Sequence, residues 1–163
     1  MNVEELKELH ELDLNNKEHH EIKTWPLENI TPQELLDKAL EASKFAYVPH
    51  SHFHVGAALI FKDGEIINGC NIENASFGLT ICAERTAVAN MISHGLKDKN
   101  PVAIAVVGSP EDTDDYLKVP CPPCGMCRQT LMEFAPDLLV VLASHEGPKV
   151  YKLKDLLPFS FNL

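Results

Sequence analysis

Apolar residues recur at helical spacing from Leu35 through Leu36, Ala39 and Leu40 to Ala46, a pattern that predicts an amphipathic helix running to about Tyr47. Thr31-Pro32-Gln33-Glu34 marks its start. The Thr31 hydroxyl can accept from a free amide, Pro32 suits the first turn, and Glu34 completes a capping box. Pro49 stops it. The period then changes: Phe53 to Phe61 alternates as a strand, Asp63-Gly64 turns the chain, and Glu65 to Cys70 returns. A loop from Asn71 to Ile81 leads to a second helix, about Cys82 to His94, ended by Gly95. Val102 to Gly108 is a continuous apolar run, as in a strand covered on both faces. An acidic loop precedes a third helix, about Gly125 to Phe134, which Pro136 closes. Leu138 to Ala143 reads as another buried strand, and Tyr151 to Leu163 as a tail.

This order predicts a three-layer α/β/α domain around a mixed sheet of about five strands. The first two strands are antiparallel, and the later ones are parallel, linked by right-handed helical crossovers. The 163 residues, 45% of them hydrophobic, suit one domain with a real core. No apolar run approaches the ~18 residues of a membrane span. The net charge of −10, from 14 basic and 24 acidic side chains, argues against nucleic acid as a partner, because phosphate binding needs a basic footprint. Half of that charge falls in residues 1–28, read as an acidic N-terminal extension. Val3, Leu6 and Leu9 suggest a short marginal helix there, with partial disorder expected around it. The folded domain would then span 29–163. The first eleven residues have neither the basic region nor the apolar stretch of an export signal, so a cytoplasmic location is expected.

Candidate chemistry lies in the five cysteines. Cys70 and Cys82 stand apart, whereas Cys121, Cys124 and Cys127 are crowded. Cys82 should open one helix and Cys124 and Cys127 another. In a parallel βαβ arrangement both helix starts lie at the carboxyl edge of the sheet, where α/β proteins place their sites. Three thiolates can converge there and leave a fourth tetrahedral position open, which is the catalytic pattern for zinc. Two helix N-termini and Arg85 would offset the thiolate charge. Glu84, two residues after Cys82, puts a carboxylate beside the metal without ligating it, and with a metal-bound water this makes a hydrolytic apparatus. Each part has a plainer reading: a structural zinc or redox pair for Cys-x-x-Cys, an inert thiol for Cys82, a helix-dipole charge for Glu84. The combination is far more specific than its parts. Cys82-Ala83-Glu84 followed by Pro123-Cys124-Gly125-Met126-Cys127 matches the known signature of zinc deaminases acting on nucleobases.

From about residue 31 to 162 the sequence resembles the cytidine deaminases of the small homotetrameric class. The resemblance rests on Ser51-His52-Phe53, Val55-Gly56-Ala57-Ala58, Asn71-Ile72-Glu73-Asn74-Ala75-Ser76, Cys82-Ala83-Glu84-Arg85-Thr86-Ala87, Pro123-Cys124-Gly125-Met126-Cys127-Arg128-Gln129 and Leu156-Leu157-Pro158-Phe159-Ser160-Phe161. It implies hydrolytic deamination of cytidine and 2′-deoxycytidine to uridine and 2′-deoxyuridine, as pyrimidine salvage. It assigns Cys82, Cys124 and Cys127 to one Zn²⁺ per chain. Glu84 would take the proton of the zinc water, protonate N3 and then the departing amine. Asn71 and Glu73 would hold the ribose 3′-hydroxyl, Phe53 would stack on the pyrimidine, and the Ala83 amide would meet O2. Phe161 would enter a neighbouring subunit's site, which implies a homotetramer with shared active sites. A related deaminase of the blasticidin type and a structural zinc module are the competing readings.

Two departures stand out. His50, His52 and His54 would point to one side of an extended segment, where the family commonly has Tyr at the first position. Cys121 creates a second pair, Cys121-Pro122-Pro123-Cys124, but the following proline and helix start favour Cys124 and Cys127 as ligands. Cys121→Ser is therefore expected to keep zinc and activity.

Overall fold

The computed structural model describes residues 21–161 except 112 and 114, and the short helix expected around Val3 to Leu9 lies outside them. Helix α1 (Pro32–Ser43) begins as its sequence dictates. Thr31 Oγ1 accepts from Glu34 N at 3.2 Å, and Thr31 N donates to Glu34 Oε2 at 2.7 Å. Such a cap stabilises by about 1 kcal/mol. The helix buries Leu35, Leu36, Ala39 and Ala42 but ends short of Tyr47. There the backbone has other partners: Tyr47 N donates to Asn71 O at 3.0 Å, and Tyr47 O accepts from Glu73 N at 2.8 Å. Another helical turn would forfeit both bonds, and Ala46 only mimics its continuation.

Among the described residues β1 (Phe53–Phe61), β2 (Ile66–Cys70), β3 (Pro101–Pro110), β4 (Leu139–Leu142) and β5 (Lys149–Lys152) form one sheet in the order β2-β1-β3-β4-β5. Strand β1 is antiparallel to both neighbours, so β2 and β3 point the same way, and β4 is parallel to β3. The expected common direction therefore holds from β2 through β3 to β4. It fails at β5, which returns antiparallel from β4 after a turn in which Gly147 has φ +106°. From the sequence, Tyr151 and Lys152 fall in the tail and Lys149 and Val150 in no element. Lys149-Val150-Tyr151-Lys152 is too short for alternation to stand out, and the hairpin declares itself only through pairing with β4.

The pleat divides the core as period two requires. Ala58, Ile60, Ala103, Ala105 and Val107 pack beneath α1 on one face. Ala57, Leu59, Ile104 and Val106 pack beneath α2 (Ala83–Ser93) and α3 (Gly125–Phe134) on the other, with the short α4 (Leu153–Leu156) beside them. The three layers are those expected. Ile22 N donates to Val150 O at 2.8 Å, and Trp25, Leu27 and Ile30 pack on the α1 side. The described end of the acidic segment thus lies against the sheet from residue 22 onward.

The topology gathers one edge. Phe53 pairs with Pro110 and Gly56 with Cys70, so the start of β1 and the ends of β2 and β3 coincide. Helices α2 and α3 follow from β2 and β3. Helix α2 lies so close to β2 that a Cβ on Gly69 would stand 2.3 Å from Ala83 O and 2.4 Å from Ala87 N. Only glycine permits that approach.

Candidate active site

Cys82 is the N-cap of α2 and Cys124 the N-cap of α3, both with extended backbone. Cys127 lies in the first turn of α3, fully buried. Their sulfurs all lie within 4.8 Å of one another, Cys82 at 4.0 Å and Cys127 at 3.5 Å from Cys124. Ligand sulfurs about 2.3 Å from a tetrahedral zinc stand about 3.8 Å apart. The trio fits three corners of that ion. No fourth Cys, His, Asp or Glu among the described residues joins the set, which leaves the open corner of the catalytic pattern rather than the closed structural one.

The thiols are electrostatically unequal. A hydrogen bond with Cys127, together with Arg85 and Cys124, pulls the Cys82 thiol down to about 5 against the opposing effect of burial. The same bond with Cys82, reinforced by burial, pushes Cys127 up. Arg85 is braced for its part: its Nη2 donates to Thr80 O at 2.7 Å and lies 4.0 Å from Cys82 Sγ. Glu84 is only 4% exposed. Burial first, and then the negative charge on Cys82, raises its carboxyl above the ordinary range. A buried carboxyl with a raised pKa beside a metal site is equipped to hold and return a proton.

Phe53, Asn71, Glu73 and Ala83 lie at the same edge. Phe53 opens β1, with 37% of its surface exposed. Asn71 follows β2, and its side chain bridges β1: Oδ1 accepts from Val55 N and Nδ2 donates to Phe53 O, both at 2.9 Å. A carboxamide has two N–H groups and two lone pairs, so half of its capacity remains after these bonds. Glu73 Oε2 accepts from His50 N at 2.9 Å and Ser51 N at 3.1 Å. These bonds hold the loop before Phe53. The Ser51 hydroxyl first, and then the two amides, keep the Glu73 carboxyl below its ordinary range. Ala83, the first residue of α2, is buried. Phe161 is 67% exposed, its backbone clamped by Gln129, whose Nε2 donates to Phe161 O and whose Oε1 accepts from Phe161 N. The sequence reading names Gln129 only as part of a block; the clamp reaches across 32 residues and leaves no local signal.

The histidine series does not act as one row. His50 precedes the strand and meets Phe77 edge-on at 5.8 Å. His52 and His54 face Glu111 instead, at 3.1 and 3.9 Å. His52 has φ +54°, and this turn breaks the extended run that the spacing assumed. Cys121 stays outside the sulfur trio.

Three cysteine sulfurs at the carboxyl edge of a three-layer α/β/α sheet, with a buried carboxyl beside them, form a set that could hold a zinc ion. The family model for the cytidine and deoxycytidylate deaminase zinc-binding region matches residues 30–143. A cytidine deaminase of Halalkalibacterium halodurans is 50% identical over 131 residues, which cover 79% of this chain and 92% of that protein. The crystal structure of cytidine deaminase from Burkholderia pseudomallei is similar with a TM-score of 0.71 at 43% identity, covering 81% of this chain and 100% of that one. A blasticidin-S deaminase of Bacillus cereus is 33% identical over 135 residues, 82% of this chain and 95% of its own. The chain belongs to the cytidine and deoxycytidylate deaminase family of zinc-dependent enzymes.

Proposed function

We propose that this enzyme hydrolyses cytidine and 2′-deoxycytidine to uridine and 2′-deoxyuridine, releasing ammonia, in pyrimidine salvage in the cytoplasm. The observation that carries the reading is the buried Glu84 beside three sulfurs within 4.8 Å of one another. Cys82, Cys124 and Cys127 would hold zinc, which when bound supplies Lewis acidity that makes water nucleophilic near neutral pH. Glu84 takes the proton of the attacking water and delivers protons to pyrimidine N3 and then to the departing amine. Its burial favours the protonated form that such delivery requires. Arg85 withdraws charge from Cys82. Phe53 stacks on the base, the Ala83 amide donates to O2, and Asn71 and Glu73 hold the ribose 3′-hydroxyl. Their prior bonds to β1 and to the loop at 50–51 fix these two side chains before substrate arrives.

Each chain then works within a homotetramer, where Phe161 of a neighbour closes the site. The exposed Phe45, Tyr47, Phe77, Leu79, Met126 and Phe161 supply apolar surface for assembly. Purified protein should contain about one zinc per chain and lower the ultraviolet absorbance of cytidine as it is consumed. Turnover of blasticidin S in place of cytidine and deoxycytidine would overturn the substrate assignment. Zinc with four protein ligands would overturn the catalytic one.

A further inference from the structure

Gly108 lies near the end of β3, opposite Val55 of β1. A Cβ on it would stand 2.6 Å from Cys121 Sγ, 2.8 Å from Phe53 Cε1 and 3.3 Å from Val55 Cγ2. Carbon atoms in good contact keep about 3.5–4.0 Å, so the bare Cα of Gly108 is the floor on which the thiol and the ring both rest. Its φ lies outside the left-handed region, so the backbone tolerates alanine and the requirement is one of space alone. The two occupants differ in freedom. Cys121 packs against the core beneath α2 and α3, with its thiol pushed up to about 12 by burial and then by the charges of Glu84 and Cys82. It is a neutral, hemmed-in group close to the reacting centre. Phe53 is 37% exposed and has room to swing outward. Crowding from below must therefore displace the ring.

We propose that Gly108 and Cys121 are positioning residues that set where the Phe53 ring stands, and thereby how the pyrimidine seats, by sharing the small volume beneath that ring. The inference rests on the reading that Phe53 stacks on the base. It also gives Cys121 a role its sequence position does not suggest: a wall of the base pocket beside the metal centre, and not a ligand. A buried thiol suits such a wall, because free cysteine behaves as a small hydrophobe.

The test uses the zinc-loaded enzyme with cytidine as substrate. In Gly108→Ala the displaced ring should raise KM about two- to tenfold, the worth of one aromatic contact, with zinc content unchanged and kcat moving much less. Gly108→Ala/Phe53→Ala should bind cytidine no worse than Phe53→Ala alone, because the ring through which the added methyl acts is gone. A wild-type KM in Gly108→Ala, or a double variant whose KM rises well above that of Phe53→Ala, overturns the proposal. Should Gly108→Ala fail to fold, Cys121→Ile crowds the same volume from the other side and should raise KM in the same way. Phe53→Ala separates the two levels. An unchanged KM there means that the stacking reading itself is wrong, whereas a raised KM alongside an indifferent Gly108→Ala sinks only the positioning role.

Discussion

At the scale of single residues, the site works by making similar groups unlike. Cys82 and Cys127 share a hydrogen bond, yet one thiol is pulled down and the other pushed up. Glu84 and Glu73 are both carboxylates near the same edge, but burial raises the first while hydroxyl and amide donors lower the second. Glu84→Gln keeps the shape and removes the proposed proton shuttle. It should retain about one zinc per chain and lose about 10²–10⁴-fold in kcat; substantial turnover, measured alongside metal content, would rule the shuttle out. For Glu73 the folded pKa lies below its unfolded value. Its contribution is therefore present above that unfolded value, near 4.5, and is lost as pH falls through the lower folded one. Glu73→Gln should flatten the dependence of stability on pH in that acid window, as read by thermal unfolding from neutral to acid pH. An acid limb as steep as wild type would place the dependence elsewhere.

At the scale of elements, a helix cap and a strand position beneath a helix separate stability from function. Thr31 caps α1 on the face away from the zinc site, and Thr31→Ala should cost about 1 kcal/mol with activity per folded enzyme unchanged. Gly69 lets α2 sit on β2. A methyl there meets backbone on the helix side, and neither atom belongs to a side chain that can turn away. Gly69→Ala should cost about 1–3 kcal/mol and also weaken zinc retention, because the displaced helix carries Cys82. Chemical denaturation together with a zinc-chelator competition checks both. Equal zinc retention in Gly69→Ala would show that the close approach serves packing only. Elements with their own punctuation were readable in the chain. The capping box of α1, the Asp63-Gly64 turn and the cysteine-led starts of α2 and α3 all appear where local chemistry demands them. The extra turn assigned to α1 fails because Tyr47 pairs with Asn71 and Glu73, residues too distant in sequence to leave a mark near position 47.

At the scale of the whole molecule, the exposed aromatic and aliphatic side chains and the Gln129-held tail at Phe161 are the surfaces on which the proposed tetramer can be tested. Light scattering should give about four times the mass of one chain, and Phe161→Ala should reduce kcat/KM without loss of zinc. A fully active monomer would refute shared sites. Among the described residues no helix is long and apolar enough to cross a membrane.

The division of labour between sequence and fold follows from the range of the forces involved. Cys82, Glu84, Cys124 and Cys127 were legible as a set, because metal ligation and proton transfer need particular atoms, and only a few residue types provide them. The three layers were legible because periods of 3.6 and 2 report which faces are buried. What the chain alone leaves open is which surfaces meet. The return of β5, the division of His50 from His52 and His54, the bridging of β1 by Asn71, and the volume shared by Gly108, Cys121 and Phe53 all depend on contacts between distant segments. Those contacts are short-ranged and sensitive to a single methyl group, so only the folded molecule decides them.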